Sequence, residues 1–192
     1  MRRATIHFTK KEQQDLLLAW GVISLAFAIL YAGGLKPDTD FAIALVVSAL
    51  TVGIGFLLHE LAHKFTALHY GCSAHFHANK KMLGLAVIFS FFGFVFAAPG
   101  AVRIQGVISK KQHGKIAAAG PITNLLLALL FIPLLLLGMP FAGYGAGINA
   151  FLALFNLLPI PGLDGSTVLK WDKRVYAGLL IISIGLSMLM YF

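Results

Sequence analysis

Long uncharged runs constrain the fold of this chain more than any other feature of its sequence. A transmembrane helix needs about 20 predominantly apolar residues, because it must cross about 30 Å of hydrocarbon at about 1.5 Å per residue. Uncharged runs extend over 16–33, 41–58, 82–102, 116–163 and 175–192. The chain is 59% hydrophobic and only 11% charged, which excludes an ordinary soluble domain. The sequence predicts an all-α, polytopic membrane protein.

The run over 116–163 is long enough for two spans, which Pro140 and its neighbouring glycines divide. We therefore predict about five transmembrane helices, over 16–34, 41–68, 116–138, 146–163 and 175–192. The first run is already long enough to cross a membrane, so we interpret it as a retained helix and not as a signal peptide.

The run over 82–102 could cross the membrane or return to the side from which it entered. Lysine and arginine concentrate on the cytoplasmic side of membrane proteins. If the segment 82–102 does not cross, every lysine and arginine except Lys36 lies on the side of the amino terminus, including Arg2 and Arg3. If it crosses, the basic residues divide almost equally between the two sides and the bias disappears. We expect a multi-pass protein of the cell membrane, with its amino terminus in the cytoplasm and its carboxy terminus outside. The formal charge of +8 then belongs to loops and not to a nucleic-acid surface.

A segment that enters and leaves on one side must satisfy its backbone hydrogen bonds internally or against protein. Val87–Phe96 is rich in β-branched and aromatic residues and contains a possible turn at Ser90–Gly93. These features predict a small re-entrant β-hairpin on the cytoplasmic side. The flanking segments 74–77 and 102–105 alternate with period two and are candidates for short strands.

Two histidines, His59 and His63, lie four residues apart inside the second predicted span. On a helix this spacing puts both imidazoles on one face, where they can reach one metal ion at about 2.0–2.1 Å. Glu60 could take a proton from the water that the metal activates and return it to a leaving amine. By composition, the pattern is expected about 0.003 times by chance. The motif predicts a zinc centre with Glu60 as its general base.

Ionisable groups inside a membrane are costly and usually functional, which strengthens this interpretation. The alternative is a helix end that reaches the cytoplasm, where His63 and Lys64 are interfacial. That alternative accounts for His63 but poorly for Glu60.

A catalytic zinc needs a third protein ligand and an open position. Elimination among the seven carboxylates leaves Asp164, because the others precede the first span, lie outside, belong to the motif or sit in a basic loop. The stretch 156–165 carries two prolines and two glycines, so it cannot stay helical and should line protein or a water-filled cavity. The alternative role for Asp164 is the N-cap of a helix that begins at Ser166.

The remaining histidines are weaker candidates. His75 and His77 share a strand face and could bind metal, but no carboxylate is near them in sequence, so we expect a solvated strand. Three more are expected at the surface: His7, His69 and His113. A single cysteine, Cys72, excludes an internal disulfide and a cysteine-rich metal cluster.

These motifs together resemble the site-2 protease family of intramembrane zinc metalloproteases, in a compact form without PDZ or CBS domains. The resemblance rests on His59–His63, on Gly120–Asn124 at the start of a span, and on Asn156–Gly165. It covers about 41–170, and the last motif is more specific to the family than the first.

The resemblance implies that His59, His63 and Asp164 bind Zn²⁺ and that Glu60 is the general base. It also implies that Asn156 and Asn124 contact the substrate backbone or steady the oxyanion, and that the hairpin lies near the substrate path. For Asn124, a hydrogen bond between packed helices is an equal alternative.

The function expected from these features is hydrolysis of peptide bonds within or near transmembrane segments. One membrane-embedded metalloprotease domain over 1–192, with its core over 41–170, would perform it. The expected partners are a transmembrane protein substrate and the lipid bilayer, without nucleic acid. A metal transporter is the rival function, but it needs polar groups through both halves of the bilayer, and the outer halves of the spans hold essentially none.

Overall fold

The computed structural model describes residues 6–95 and 99–191, and these are mostly helical. The predictions that concern Arg2, Arg3, Phe96 and Phe192 lie outside the described residues. The helices are α1 (Lys10–Ala32), α2 (Thr39–Ser48), α3 (Ile54–His69), α4 (Lys80–Ser90), α5 (Lys110–Leu136), α6 (Phe141–Asn156), α7 (Asp164–Trp171) and α8 (Lys173–Tyr191). A π-helical turn, Ala49–Gly53, joins α2 and α3 into one helix, and the strands β1 (Ser73–Ala78) and β2 (Gly100–Gln105) pair antiparallel.

Among the described residues, four helices are long and apolar enough to cross a membrane. They are Lys10–Ala32, Thr39–His69, Lys110–Leu136 and Lys173–Met190. They coincide with four of the five predicted spans. The remaining span corresponds to α6, whose 16 residues extend about 24 Å and fall short of the usual length. The protein is therefore a membrane protein, while the count of five spans stays a prediction.

The predicted β-hairpin over Val87–Phe96 is wrong, because its first half belongs to helix α4. Asn79 caps this helix by accepting a hydrogen bond from the Met82 amide at 3.2 Å. Leu83, Ala86 and Ser90 are buried at helical spacing, so packing overrides the β-propensity of the aromatic and β-branched residues. With 11 residues, α4 is too short to cross a bilayer.

The strands lie on either side of α4, where the two flanking segments alternate with period two. The prediction of short strands at 74–77 and 102–105 is confirmed. The predicted turn is also present, because α4 ends at Ser90 and Gly93 adopts a φ of +86°. That conformation favours glycine, which has no Cβ to clash with the backbone.

The described chain forms two compact units. The first consists of His7–Leu57 and His75–Arg103, and in it α1 packs against α2 and α4. Trp20 donates from Nε1 to the Ala49 carbonyl at 3.1 Å, which fixes the π-helical turn against α1. Helix α1 begins six residues before the predicted span, so Glu12 and Asp15 belong to it and are buried.

The second unit consists of Leu58–Ala74 and the chain from Ile104 onward. Helix α5 packs against α6, α7 and α8. Its apolar contact with α7 consists of Ala117 and Ala118 around the fully buried Val168. Gly114 permits this approach, because a Cβ there would overlap the Trp171 side chain. The short helix α7 is thereby fixed against α5, with Asp164 at its amino-terminal end.

Candidate metal centre

Helix α3 carries both histidines of the motif on one face, as the spacing predicts. The two Nε2 atoms lie 3.0 Å apart, and the rings are buried. Glu60 lies between them in sequence and is also buried, with 8% exposure. Two imidazole nitrogens therefore converge on one point, and the same helix carries a buried glutamate directly after His59.

Asp164 supplies an oxygen at that same point. Its Oδ2 lies 3.2 Å from Nε2 of His59 and 3.3 Å from Nε2 of His63. Helix α7 begins at Asp164 itself, so the alternative role as N-cap of a helix beginning at Ser166 is wrong. The stretch between α6 and α7 is irregular, as its prolines and glycines predict.

Local backbone geometry determines where Asp164 lies. Gly162 adopts a φ of +96°, which turns the chain shortly before α7. Gly165 lies so close to the backbone of Leu157 that a Cβ would overlap the carbonyl group. Two glycines thus allow the end of α6 and the start of α7 to approach closely.

The charge state of Asp164 suits a metal ligand. Burial alone would raise the pKa of this carboxyl, but in the metal-free protein the positive charge of protonated His63 and hydrogen bonds from His59 and His63 outweigh burial and hold the pKa well below its ordinary value. The side chain is therefore a carboxylate, which is the form that binds metal.

The three donor atoms fit a zinc ion. At a tetrahedral zinc with bonds of about 2.0–2.1 Å, ligand atoms lie about 3.3 Å from one another. The three separations here are 3.0, 3.2 and 3.3 Å. Among the described residues, His59, His63 and Asp164 are the one group of this kind that could hold a metal ion. Three protein donors leave a fourth position open for water or substrate.

The Nδ1 atom of each of the two imidazoles forms a hydrogen bond with a residue of helix α5. His63 donates from Nδ1 to the carbonyl of Ile116 at 2.7 Å, and His59 Nδ1 lies 2.6 Å from Oδ1 of Asn124. Such partners fix the tautomer and the ring orientation of a metal-binding histidine. Both rings therefore direct Nε2 toward the shared point.

Gly120 of α5 also belongs to this site, although the sequence pattern predicted no individual role for it. A Cβ at this position would lie 2.5 Å from Nε2 of His59 and closer still to Nε2 of His63. Glycine thus keeps open the space between α5 and the two nitrogens. The only sequence signal for this residue was its place in the Gly120–Asn124 motif. The reason for glycine could not be predicted, because it depends on His59, which lies 61 positions away in the sequence.

The structure places the two predicted substrate-binding asparagines differently. Asn124 is fully buried and hydrogen-bonds across helices to His59 and Asn149. Asn156 is half-buried at the end of α6, where its Nδ2 donates to the Leu152 carbonyl at 2.9 Å. The geometry of Asn124 corresponds to the alternative of a bond between packed helices.

The outlying histidines divide into two groups. Three lie at the surface, as predicted: His7, His69 and His113. His75 has no carboxylate near it in sequence, but the fold brings Glu12 to it, with Oε2 3.3 Å from its Nδ1. The two residues are 63 positions apart, so the pairing could not be recognised from neighbours in sequence.

Known proteins similar to this chain identify its family. A protein of Methanocaldococcus jannaschii named a putative zinc metalloprotease is 38% identical over 193 residues, which cover 96% of this chain and 97% of that protein. The chain belongs to the site-2 protease-like family of zinc metalloproteases. Its cofactor is therefore zinc, and His59, His63 and Asp164 could hold that ion.

Two bacterial relatives of this zinc metalloprotease carry the same kind of name. YwhC of Bacillus subtilis is 29% identical, over 63% of this chain and 66% of its own length. Rip2 of Mycolicibacterium smegmatis is 29% identical, over 78% of this chain and 69% of its own length. No protein-family model and no solved structure matches the chain.

Proposed function

We propose that this zinc metalloprotease hydrolyses peptide bonds within or near the transmembrane segments of membrane protein substrates. The observation that carries the proposal is the position of His59, Glu60 and His63 in Thr39–His69, a helix long and apolar enough to cross a membrane. All three side chains are buried. A protease whose catalytic groups lie inside a membrane-spanning helix has membrane-embedded peptide as its accessible substrate.

In this proposal, His59, His63 and Asp164 hold the zinc ion. Bound zinc supplies Lewis-acid chemistry, which polarises the scissile carbonyl and makes water a stronger nucleophile at neutral pH. The buried setting strengthens these electrostatic effects, because little solvent screens them.

Glu60 acts as the general base. Its carboxylate accepts a proton from the attacking water and transfers that proton to the leaving amine as the peptide bond breaks. It follows His59 directly on α3, so it lies beside the reacting atoms without occupying a ligand position. A neutral amide at this position could accept a hydrogen bond but could not carry the proton.

The substrate must unwind before it can react, since the carbonyls of a helix are engaged in hydrogen bonds and shielded from attack. Asn156, at the end of α6, has the chemistry to contact the substrate backbone, as the family resemblance implies. Asn124 is fully buried, so we assign it to His59 and not to the substrate.

The orientation that we propose follows from charge. With five spans and no crossing over 82–102, every lysine and arginine except Lys36 falls on the side of the amino terminus, and such a bias is typical of the cytoplasmic face. The site would then face the cytoplasm in a multi-pass protein of the cell membrane, and cleavage would release a cytoplasmic fragment. The partners are a transmembrane substrate and the bilayer.

The test compares the purified protein with its Glu60→Gln variant. Bound zinc is measured by elemental analysis, and cleavage is measured on a model transmembrane helix in liposomes and on an unfolded soluble protein. We expect E60Q to keep zinc and lose cleavage by several orders of magnitude, and we expect the wild type to prefer the membrane helix. Intact cleavage by E60Q would refute the role of Glu60, and preference for the soluble protein would refute the substrate class.

A further inference from the structure

Two buried asparagines connect the metal-binding face of α3 to the interior of α6. His59 Nδ1 lies 2.6 Å from Oδ1 of Asn124, and Asn124 donates from Nδ2 to Oδ1 of Asn149 at 2.9 Å. Asn149 donates from its own Nδ2 to the carbonyl oxygen of Gly145 at 2.9 Å. Both asparagines have 0% exposure. The chain of hydrogen bonds therefore runs entirely through protein interior.

The hydrogen bonds along this series have a fixed direction, because the series ends on a backbone carbonyl. A carbonyl can only accept, so Asn149 must present Nδ2 to Gly145 and Oδ1 to Asn124. Asn124 must then present Nδ2 to Asn149 and Oδ1 to His59. His59 must in turn carry a hydrogen on Nδ1, so Nε2, which faces His63 and Asp164, is the nitrogen that can bind a metal ion.

We propose that Asn149 is a positioning residue of the zinc site. Acting through Asn124, it holds His59 in the tautomer and ring orientation that present Nε2 to the metal. The inference rests on the proposed function, in which His59 is a zinc ligand. Loss of a hydrogen-bonding partner behind a metal-binding histidine typically lowers metal affinity about 10–100-fold.

A polar residue on an apolar helix could instead serve only to join α5 to α6. Two substitutions separate these roles. Asn149→Leu keeps about the same volume but cannot hold the amide of Asn124, which can then turn its Nδ2 toward His59. Asn149→Asp keeps the direction of the hydrogen bonds, because burial raises the pKa of a carboxyl, and the protonated carboxyl can donate to Gly145 while accepting from Asn124.

The decisive measurement is the zinc affinity of the purified full-length protein, determined by competition with a chelating indicator. We expect N149L to bind zinc about 10-fold or more weakly and N149D to bind it nearly as tightly as the wild type. Ser183→Ala is the matched control: Ser183 is buried and donates to the carbonyl four residues earlier on α8, and its loss should leave zinc affinity unchanged.

The results also separate this inference from the zinc site itself. If N149L binds zinc like the wild type, or if N149D is the weaker of the two, Asn149 only joins helices and the inference fails. If His59→Ala binds zinc like the wild type, the proposed site fails instead.

If N149L does not fold, a measurement on the wild-type protein tests the inference instead. In metal-free protein labelled with ¹⁵N-histidine, nuclear magnetic resonance distinguishes the ring nitrogen that carries hydrogen. The chain of hydrogen bonds predicts hydrogen on Nδ1 of His59 before any metal is added. A hydrogen on Nε2 with a bare Nδ1 would overturn the inference.

Discussion

Gly120 on α5 faces His59 on α3 so closely that a Cβ at Gly120 would lie 2.5 Å from the Nε2 atom of that histidine. Real Cβ contacts are not this short, so any side chain at position 120 must displace the nitrogen. Gly120→Ala should therefore bind zinc poorly. We expect its proteolytic activity to fall about 100-fold or more, because displacements of about 1 Å have costs of this size. Bound zinc and cleavage rate are the measurements.

Gly178→Ala is the control for this substitution. Gly178 lies in α8, and a Cβ there meets nothing within 4 Å. This control also replaces a helical glycine with alanine, but its new Cβ does not contact the metal site. Wild-type zinc content in G120A would contradict the geometry of the site.

Asp164→Asn tests the third ligand. The amide keeps the size of the side chain but removes the negative charge, so zinc affinity should fall by more than the roughly 10–100-fold cost of losing a hydrogen bond behind a ligand. Asp172→Asn is the matched control, because Asp172 accepts hydrogen bonds from the amides of Arg174 and Val175 at the start of α8. We expect that control to keep its zinc. Equal zinc affinity in the two variants would exclude Asp164 as a ligand.

Gly165→Ala tests whether the turn before α7 positions Asp164. A Cβ at Gly165 would overlap the carbonyl group of Leu157, and backbone cannot move aside as a flexible side chain can. The start of α7 should shift, and the Asp164 carboxylate with it. We predict lowered zinc affinity even though no donor atom is altered. Gly143→Ala is a control in which the new Cβ makes an ordinary contact of 3.6 Å with Leu135.

Glu12→Ala should destabilise the first unit without acting on the zinc ligands. Glu12 is buried, and its Oε1 accepts a hydrogen bond from the Phe76 amide at 3.0 Å. Removing the carboxylate leaves a buried N–H without this acceptor, which costs about 1–3 kcal/mol. Thermal unfolding in detergent measures the loss.

Lys11→Ala provides the comparison for Glu12→Ala. Lys11 pairs with Asp15 at 2.6 Å; the lysine side chain is 62% exposed, so solvent screens the pair from that side, although the Asp15 side chain is only 6% exposed. Without Lys11, the Asp15 carboxylate still accepts a hydrogen bond from the Ala78 amide at 3.3 Å, so we expect a loss of about 0–1 kcal/mol, as is typical of surface pairs. We expect E12A to unfold at a clearly lower temperature than K11A, and the reverse order would contradict the structural role of Glu12.

The sequence predicted α3 and its two histidines because their relation is local. Residues four apart on a helix share a face whatever the rest of the chain does. The four long helices were predictable for a similar reason, since length and hydropathy are properties of a continuous segment. Asp164 was predicted by elimination, because so few carboxylates compete for the role in this chain, and the structure brings it to the two histidines.

The prediction for Val87–Phe96 failed because the intrinsic preference of residues for strands is weak compared with the effect of tertiary packing. Aromatic and β-branched residues favour strands, yet α4 extends into this segment and buries one face at helical spacing. The N-cap Asn79 was the local signal for a helix that begins at Lys80. Strands formed instead in the flanking segments, where alternation was the stronger feature.

The sequence by itself determined a membrane protein with a two-histidine motif and one suitable remaining carboxylate, because composition and short spacings suffice for those conclusions. Tertiary structure alone decided which groups contact the predicted ligands: Asn124 hydrogen-bonds to His59, the Ile116 carbonyl hydrogen-bonds to His63, and Gly120 lies beside both. These contacts join residues more than 50 positions apart. Their distances depend on how α5 packs against α3, and helix packing is a property of two surfaces that no local pattern specifies.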